Sequence, residues 1–237
     1  MGTPTQSIAC RLGLDTPTAL ESAADEAPHR SSWFPVHLSP ETLAGQGLPV
    51  IDGRQLSPFR VDTGTAGRSI PEATACRLLA SDRHRHPRLA YRDVASPTNR
   101  VTLIAAVLPA RCVSTHTVFV LKTPLPLTAQ YFLCGLFNSF VVNYFVRLRV
   151  STHVATATVE RLPIPLTTAA PSAALEVAAI ARRLAHSDDR NAVARLNALV
   201  GRLYQLSIRE FQYLLDTFPL VDQAARSDAL RQLASQL

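Results

Sequence analysis

Between Lys122 and Arg147 lie 24 consecutive residues without a charged side chain. A run of this kind must be hidden from water, either in a membrane or in a protein core. A membrane span needs about 20 mainly apolar residues. Here Pro124 and Pro126 cut the run at its start, and Gln130, Asn138, Ser139 and Asn143 interrupt what remains. The stretch 128–148 therefore reads as one buried core helix, with Phe132, Leu136, Phe140 and Phe145 facing inward.

What surrounds that helix sets the fold class. The chain is 47% hydrophobic and 18% charged, enough apolar material for a packed core and too much for general disorder. Residues 1–46 read as an irregular leader with five prolines and no sustained period. Leu48–Gly53 reads as a short strand and turn, and Asp62–Arg68 as a loop rich in turn residues. Arg88–Val94, Val101–Leu108 and Val113–Leu121 read as three strands, with Ser96-Pro-Thr-Asn99 as the turn between the first two and His116 within the third. Thr156–Ile164 reads as a further strand.

From Pro171 the period becomes helical. One helix is capped by Ser172 and runs to His186. A second covers Ala192–Leu206, with Val193, Leu196, Leu199, Val200 and Leu203 on one stripe. The capping box Ser207-Ile-Arg-Glu210 opens a third, stopped by Pro219, and a fourth runs from Gln223 to the end. The expected fold is α+β: a small mixed β-sheet domain with a buried apolar helix over 47–166, then a helical subdomain over 167–237.

Charge is distributed unevenly. The formal net charge is +6, yet Met1–Gln46 has 2 basic and 5 acidic residues, and Thr167–Leu237 has 8 and 7. Gly47–Leu166 has 14 basic against 6 acidic residues, a sum of +8, so an anionic partner would meet the middle of the chain. The four cysteines form no CxxC pair, and no basic-then-apolar signal sequence opens the chain, so a reducing cytoplasm is expected. Asp82-Arg-His-Arg-His86 places two histidines among arginines with no third ligand evident, which favours a basic surface loop or phosphate contact over a metal site.

Several enzyme classes lack their sequence requirements. No phosphate-binding glycine loop, dinucleotide-binding GxGxxG or Gly-x-Ser-x-Gly elbow occurs. Lys122 is the only lysine and has no paired acids beside it, which leaves out the usual metal-nuclease grouping.

Four ordered stretches carry a resemblance. They are Tyr91–Pro109, with Thr98-Asn-Arg-Val-Thr-Leu-Ile-Ala105; Tyr131–Arg149, with its Gly-Leu-Phe-Asn-Ser-Phe core; Val159-Glu-Arg-Leu-Pro-Ile-Pro165; and the tail Leu196–Pro219. Together they resemble the C-terminal target-recognition region of adenine-specific DNA methyltransferases from Type II restriction–modification systems, over residues 48–219. The resemblance implies a duplex DNA partner and a role in sequence-specific recognition. The Asn-Pro-Pro-Tyr type tetrapeptide, which holds the flipped adenine in those enzymes, is missing here. The chain thus resembles the recognition half without the catalytic half, either a specificity subunit or a truncated remnant. S-adenosylmethionine would be bound by a catalytic partner or missing segment, with no cofactor, catalytic residue or metal expected in this chain. The rival reading is a membrane-peripheral or scaffold protein anchored by 128–148.

The DNA-binding residues expected from this reading are Arg68, Arg83, Arg85, Arg92, Thr98, Asn99, Arg100, Arg147, Arg149, Ser151 and Thr152. Arg92 and Arg100 flank the turn and would contact phosphate or guanine through their guanidinium groups, or else tie the turn. Arg147 and Arg149 close the apolar helix, where cations are favoured in any case, and are expected to contact phosphate. The missing glycine loop and tetrapeptide lead to a first expectation. The purified chain alone should neither bind S-adenosylmethionine nor methylate DNA, and micromolar cofactor binding by calorimetry would overturn it.

Overall fold

The uncharged run folds against a sheet, and its polar residues are what attach it. The computed structural model describes residues 47–79, 82–95, 99–121, 123–150 and 152–235; the leader 1–46, Thr98 and Ser151 lie outside the described residues. The strands are β1 (Leu48–Ile51), β2 (Leu56–Ser57), β3 (Arg60–Val61), β4 (Ser69–Ile70), β5 (Arg88–Arg92), β6 (Ala105–Leu108), β7 (Val113–Ser114) and β8 (Val118–Val120). The helices are α1 (Glu72–Leu79), α2 (Leu127–Phe137), α3 (Phe140–Arg147), α4 (Thr156–Glu160), α5 (Pro171–Leu184), α6 (Arg190–Leu203), α7 (Ile208–Asp216) and α8 (Gln223–Ala234). The fold is α+β.

The β structure is divided into small sheets. An antiparallel sheet has the order β6-β5-β8, with Tyr91 opposite Ala105 and Phe119. A mixed sheet has the order β4-β1-β7, antiparallel to β4 and parallel to β7. The hairpin β2-β3 joins β6 through a bridge between Phe59 and Ala106. The expected strand over Val113–Leu121 is therefore two strands in different sheets. Its break is the turn 115–117, where Thr115 and Thr117 share a 2.8 Å hydroxyl hydrogen bond, and His116 is exposed in that turn and not within a strand. The first expected pair is antiparallel, although the second strand begins only at Ala105.

The single helix expected over 128–148 is two helices, α2 and α3, separated at Asn138-Ser139. Ser139 adopts an extended conformation and its hydroxyl accepts the Val142 N–H at 3.3 Å, so it N-caps α3. Asn138 caps the end of α2, and its amide nitrogen donates to the carbonyls of Ala105 (2.8 Å) and Cys134 (2.9 Å). The Asn138 Oδ1 accepts the Ala105 N–H at 3.1 Å. Gln130 accepts the Leu89 N–H at 2.8 Å, and the Asn143 Oδ1 accepts both Thr102 N–H and Leu103 N–H at 2.8 Å. The N–H groups of Thr102 and Leu103, which lie outside the strands, are thus satisfied by a side chain. Asn143 is fully buried, so its amide supplies a bond that neither water nor a neighbouring strand provides.

Thr156–Ile164, expected as a strand, opens with helix α4. Val159, Leu162 and Ile164 are all buried, and a helical turn followed by extended chain turns all three inward where an alternating strand could not. Helix α5 starts on Pro171 at its first position with no side-chain cap, so Ser172 lies inside the first turn. Helix α6 is capped by Asp189, which accepts the Ala192 N–H at 2.9 Å. The Ser207–Glu210 capping box forms as the sequence implies.

One main core includes residues from both 47–166 and 167–237. Phe132, Leu136 and Phe140 are buried in it, and Phe145 packs at its edge. Gly135 permits this union, because a Cβ there would lie 2.6 Å from the Cγ1 of Val177 on α5. The Cys134 thiol is buried in this core and pushed up to about 12 by desolvation, which keeps it protonated and inert.

Replacing Asn143 with leucine keeps the volume but orphans two buried N–H groups. A loss of about 2–6 kcal/mol is expected, from about 1–3 kcal/mol for each orphaned group. Urea unfolding measures it, and a loss below about 1 kcal/mol would show that the 102–104 backbone finds other partners.

Candidate nucleic-acid interface

β5 ends at Arg92, whose N–H donates to the Ile104 carbonyl at 3.0 Å. The following residues knit three segments together. Asp93 N–H donates to Thr117 O (3.0 Å), Ala95 N–H to Thr152 O (3.0 Å), and Val154 N–H to Asp93 O (2.8 Å). The loop after β5, the turn before β8 and the chain leaving α3 thereby share one edge of the antiparallel sheet. Tyr91 stacks on Phe119 beneath it, with ring centroids 5.4 Å apart.

The second half of that loop is held from α3 by Arg147. Its Nη1 donates to Thr217 O at 2.7 Å and its Nη2 to Asn99 O at 2.8 Å, with longer contacts of 3.5 Å to Arg100 O and Thr102 Oγ1. The guanidinium carbon lies 4.2 Å from the centroid of the Phe218 ring, a cation–π arrangement. Burial pushes the Arg147 guanidinium down from its usual range, but an arginine stays charged throughout the physiological range. Arg147 was expected to contact phosphate; its donors are instead engaged with the protein's own chain. It joins the end of α3, the loop 99–102 and the end of α7.

Arg149 differs. Its Nη1 donates to Phe145 O at 3.1 Å, and the residue is exposed. Asn99, Arg100 and Thr152 are exposed as well. Among the described residues, Arg92, Arg100 and Arg149 have no carboxylate partner. The Arg92 Nε is buried next to Gly53 and has no hydrogen-bond partner among the described residues, the kind of donor that calls for an acceptor.

The remaining expected residues lie around the other sheet. Arg68 reaches Asp52 at 3.6 Å, and Asp52 also holds Arg54 at 3.1 Å. Burial opposes ionisation of Asp52, but hydrogen bonds from Arg54 and the charges of Arg54 and Arg68 outweigh it and hold the carboxyl below its usual range. Arg83 and Arg85 lie on a 3-10 turn rather than an extended strand, and Arg85 pairs with Glu72 at 3.5 Å. In that turn His84 is buried while His86 is exposed, so the two imidazoles do not share a metal-binding face. Among the described residues no group of His, Cys, Asp and Glu is arranged to hold a metal. Thr98 and Ser151 lie outside the described residues.

Sequence reasoning missed one pair at this edge. His153 Nδ1 lies 3.0 Å from Asp93 Oδ2, with the imidazole exposed and the carboxylate mostly buried. Sixty positions separate the partners, and only the bridge between Val94 and His153 brings them together. No local pattern could have announced it.

No protein-family model matches this sequence, and none of the curated proteins compared with it is a significant match.

The geometry separates two arginines that are two positions apart in sequence. Arg147→Ala should destabilise the fold by about 1.5–3 kcal/mol, the usual worth of hydrogen bonds to a charged group. Arg149→Ala should change stability by less than about 0.5 kcal/mol. Thermal and urea unfolding of both variants tests this, and equal losses would overturn the assignment.

Proposed function

We propose that this chain is a sequence-specific DNA-recognition domain or subunit of an adenine-specific DNA methyltransferase or restriction–modification enzyme. The chemistry would be supplied by a partner that carries the S-adenosylmethionine site and the tetrapeptide this sequence lacks. The observation that carries the reading is how positive charge is disposed. In the helical segment, Arg183, Arg190, Arg195, Arg226 and Arg231 pair with carboxylates of that same segment, and Arg182, Arg202 and Arg209 are exposed there without a carboxylate partner among the described residues. On the loop 99–102 and after α3, Arg100 and Arg149 are exposed with no such partner among the described residues, and Asn99 and Thr152 are exposed as well. Arg92 also has none but is half-buried, with its Nε buried. Exposed, uncompensated cations together with exposed polar residues suit a phosphate backbone.

A second observation supports the resemblance. Its four stretches bind one another's backbone: Asn143 holds Thr102 and Leu103, Asn197 accepts the Phe140 N–H at 2.8 Å, and Tyr204 Oη donates to Pro163 O. The four stretches therefore form one scaffold, whose exposed loop ends would set the protein's register on a duplex. Among the described residues no helix is long and apolar enough to cross a membrane.

Binding to duplex DNA should weaken linearly on a log–log plot against salt, with a slope of roughly −3 to −5 at about −0.9 per phosphate contacted. Arg100→Ala and Arg149→Ala should each reduce the slope by about one and weaken all sequences alike, whereas an arginine that reads guanine should lose about 1–3 kcal/mol at its own site only. Fluorescence anisotropy between about 50 and 200 mM salt measures this. Salt-independent binding, or no binding by folded protein at the low-salt end, would overturn the proposal.

A further inference from the structure

Away from the proposed DNA-facing edge, α1 and the 3-10 turn at Arg83–Arg85 bring a cysteine, a histidine and an arginine together. The Cys76 Sγ lies 3.7 Å from His84 Nε2 and 3.7 Å from Arg85 Nη2, which donates to it. Cys76 is partly exposed, unlike Cys112 and Cys134, which are buried. His84 is only 2% exposed and held in place by the Arg111 N–H, which donates to its carbonyl at 2.7 Å. Arg85 is oriented by Glu72, which also pairs with Arg111 at 3.0 Å.

The histidine's surroundings decide how it acts on the sulfur. His84 Nδ1 is buried and has no hydrogen-bond partner among the described residues. A buried N–H with no acceptor is less favourable than a bare ring nitrogen, so in neutral imidazole the proton sits on Nε2, facing the sulfur. Two N–H donors, one of them a permanent cation, then converge on one sulfur atom. Both contacts fall on the sulfur of a partly exposed cysteine, where an incoming electrophile can reach it. Glu72 is the one acid in this group, and it is already shared between Arg85 and Arg111.

We propose that Cys76 is a reactive thiol and the site at which this protein is modified by small disulfides. The Cys76 sulfur attacks one sulfur of the disulfide, forming a new S–S bond as the old one breaks. The departing half leaves as thiolate and takes up a proton equivalent to the one Cys76 lost. Cys76 is thereby oxidised and the released half reduced, with no further oxidant needed. The pair of ligands is too small for a metal site, and both donors to the sulfur fit an anion, not a cation. This assignment is independent of DNA binding.

The test uses the full chain and dithiodipyridine, a neutral small disulfide, with peptide mapping to follow Cys76 alone. At about pH 7, Cys76 in the folded protein should react about tenfold faster than the same cysteine in the urea-unfolded chain. Arg85→Gln replaces an exposed side chain and should remove at least about two-thirds of that excess by withdrawing the cationic donor. His84→Gln should do the same, with circular dichroism confirming that it folds. A folded-state rate no greater than the unfolded one overturns the proposal, and so does an excess that survives Arg85→Gln.

Discussion

Three carboxamides decide how this molecule is assembled. Gln130, Asn138 and Asn143 reach from α2 and α3 to the backbone of Leu89, Ala105, Thr102 and Leu103. Each is buried, and each matches its donors or acceptors to backbone groups that strand pairing leaves open. In a water-free core an unmet peptide group is heavily penalised, while a met one is strong and directional. The amides therefore set which helix turn faces which strand residue. Apolar packing among Phe132, Leu136, Phe137 and their neighbours supplies most of the driving force, but it has no direction of its own.

From that anchoring follows the placement of the surface loops. With α3 fixed by Asn143, Arg147 one turn later lies against the loop 99–102 and the end of α7. Its contact with Phe218 and its bonds to Thr217 and Asn99 carry the constraint into the helical segment. Asn197 and Gly135 join the same segment to α2 and α3 from the other side. The loop that carries Asn99 and Arg100 is thus supported from two directions, and the exposed Arg149 stands two residues beyond the bracing Arg147. Under the proposed function, a loop on such a support would lose less conformational freedom on meeting a duplex.

The same sequence supports a different chemistry on the other side. Around β4-β1-β7 several arginines meet carboxylates, as in Arg68 with Asp52 and Arg85 with Glu72. The +8 of the middle segment is therefore not one uniform patch. It divides into an edge with uncompensated charge and a region where charge orients side chains, among them the donors to Cys76.

The sequence by itself determined the class of the fold, because the uncharged run, the alternating strands and the amphipathic tail follow from hydrophobic period alone. The capping box at Ser207, the stop at Pro219 and the burial of Phe132, Leu136 and Phe140 were legible for the same local reason. Gln130, Asn138, Ser139 and Asn143 were visible as interruptions of an apolar run. That they break the helix in two and bind the sheet depends on backbone groups some 33 to 41 positions away. Likewise, Arg147 and Arg149 share the same composition and the same helix end, and only the tertiary structure decided that one braces the chain while the other faces solvent. The pairing of Asp93 with His153, the approach of His84 and Arg85 to Cys76, and the helical start of 156–164 belong with these. Hydrophobic period is written into neighbouring residues, whereas the partner of a polar atom is chosen by whichever distant backbone or side chain the packed core brings within hydrogen-bond reach.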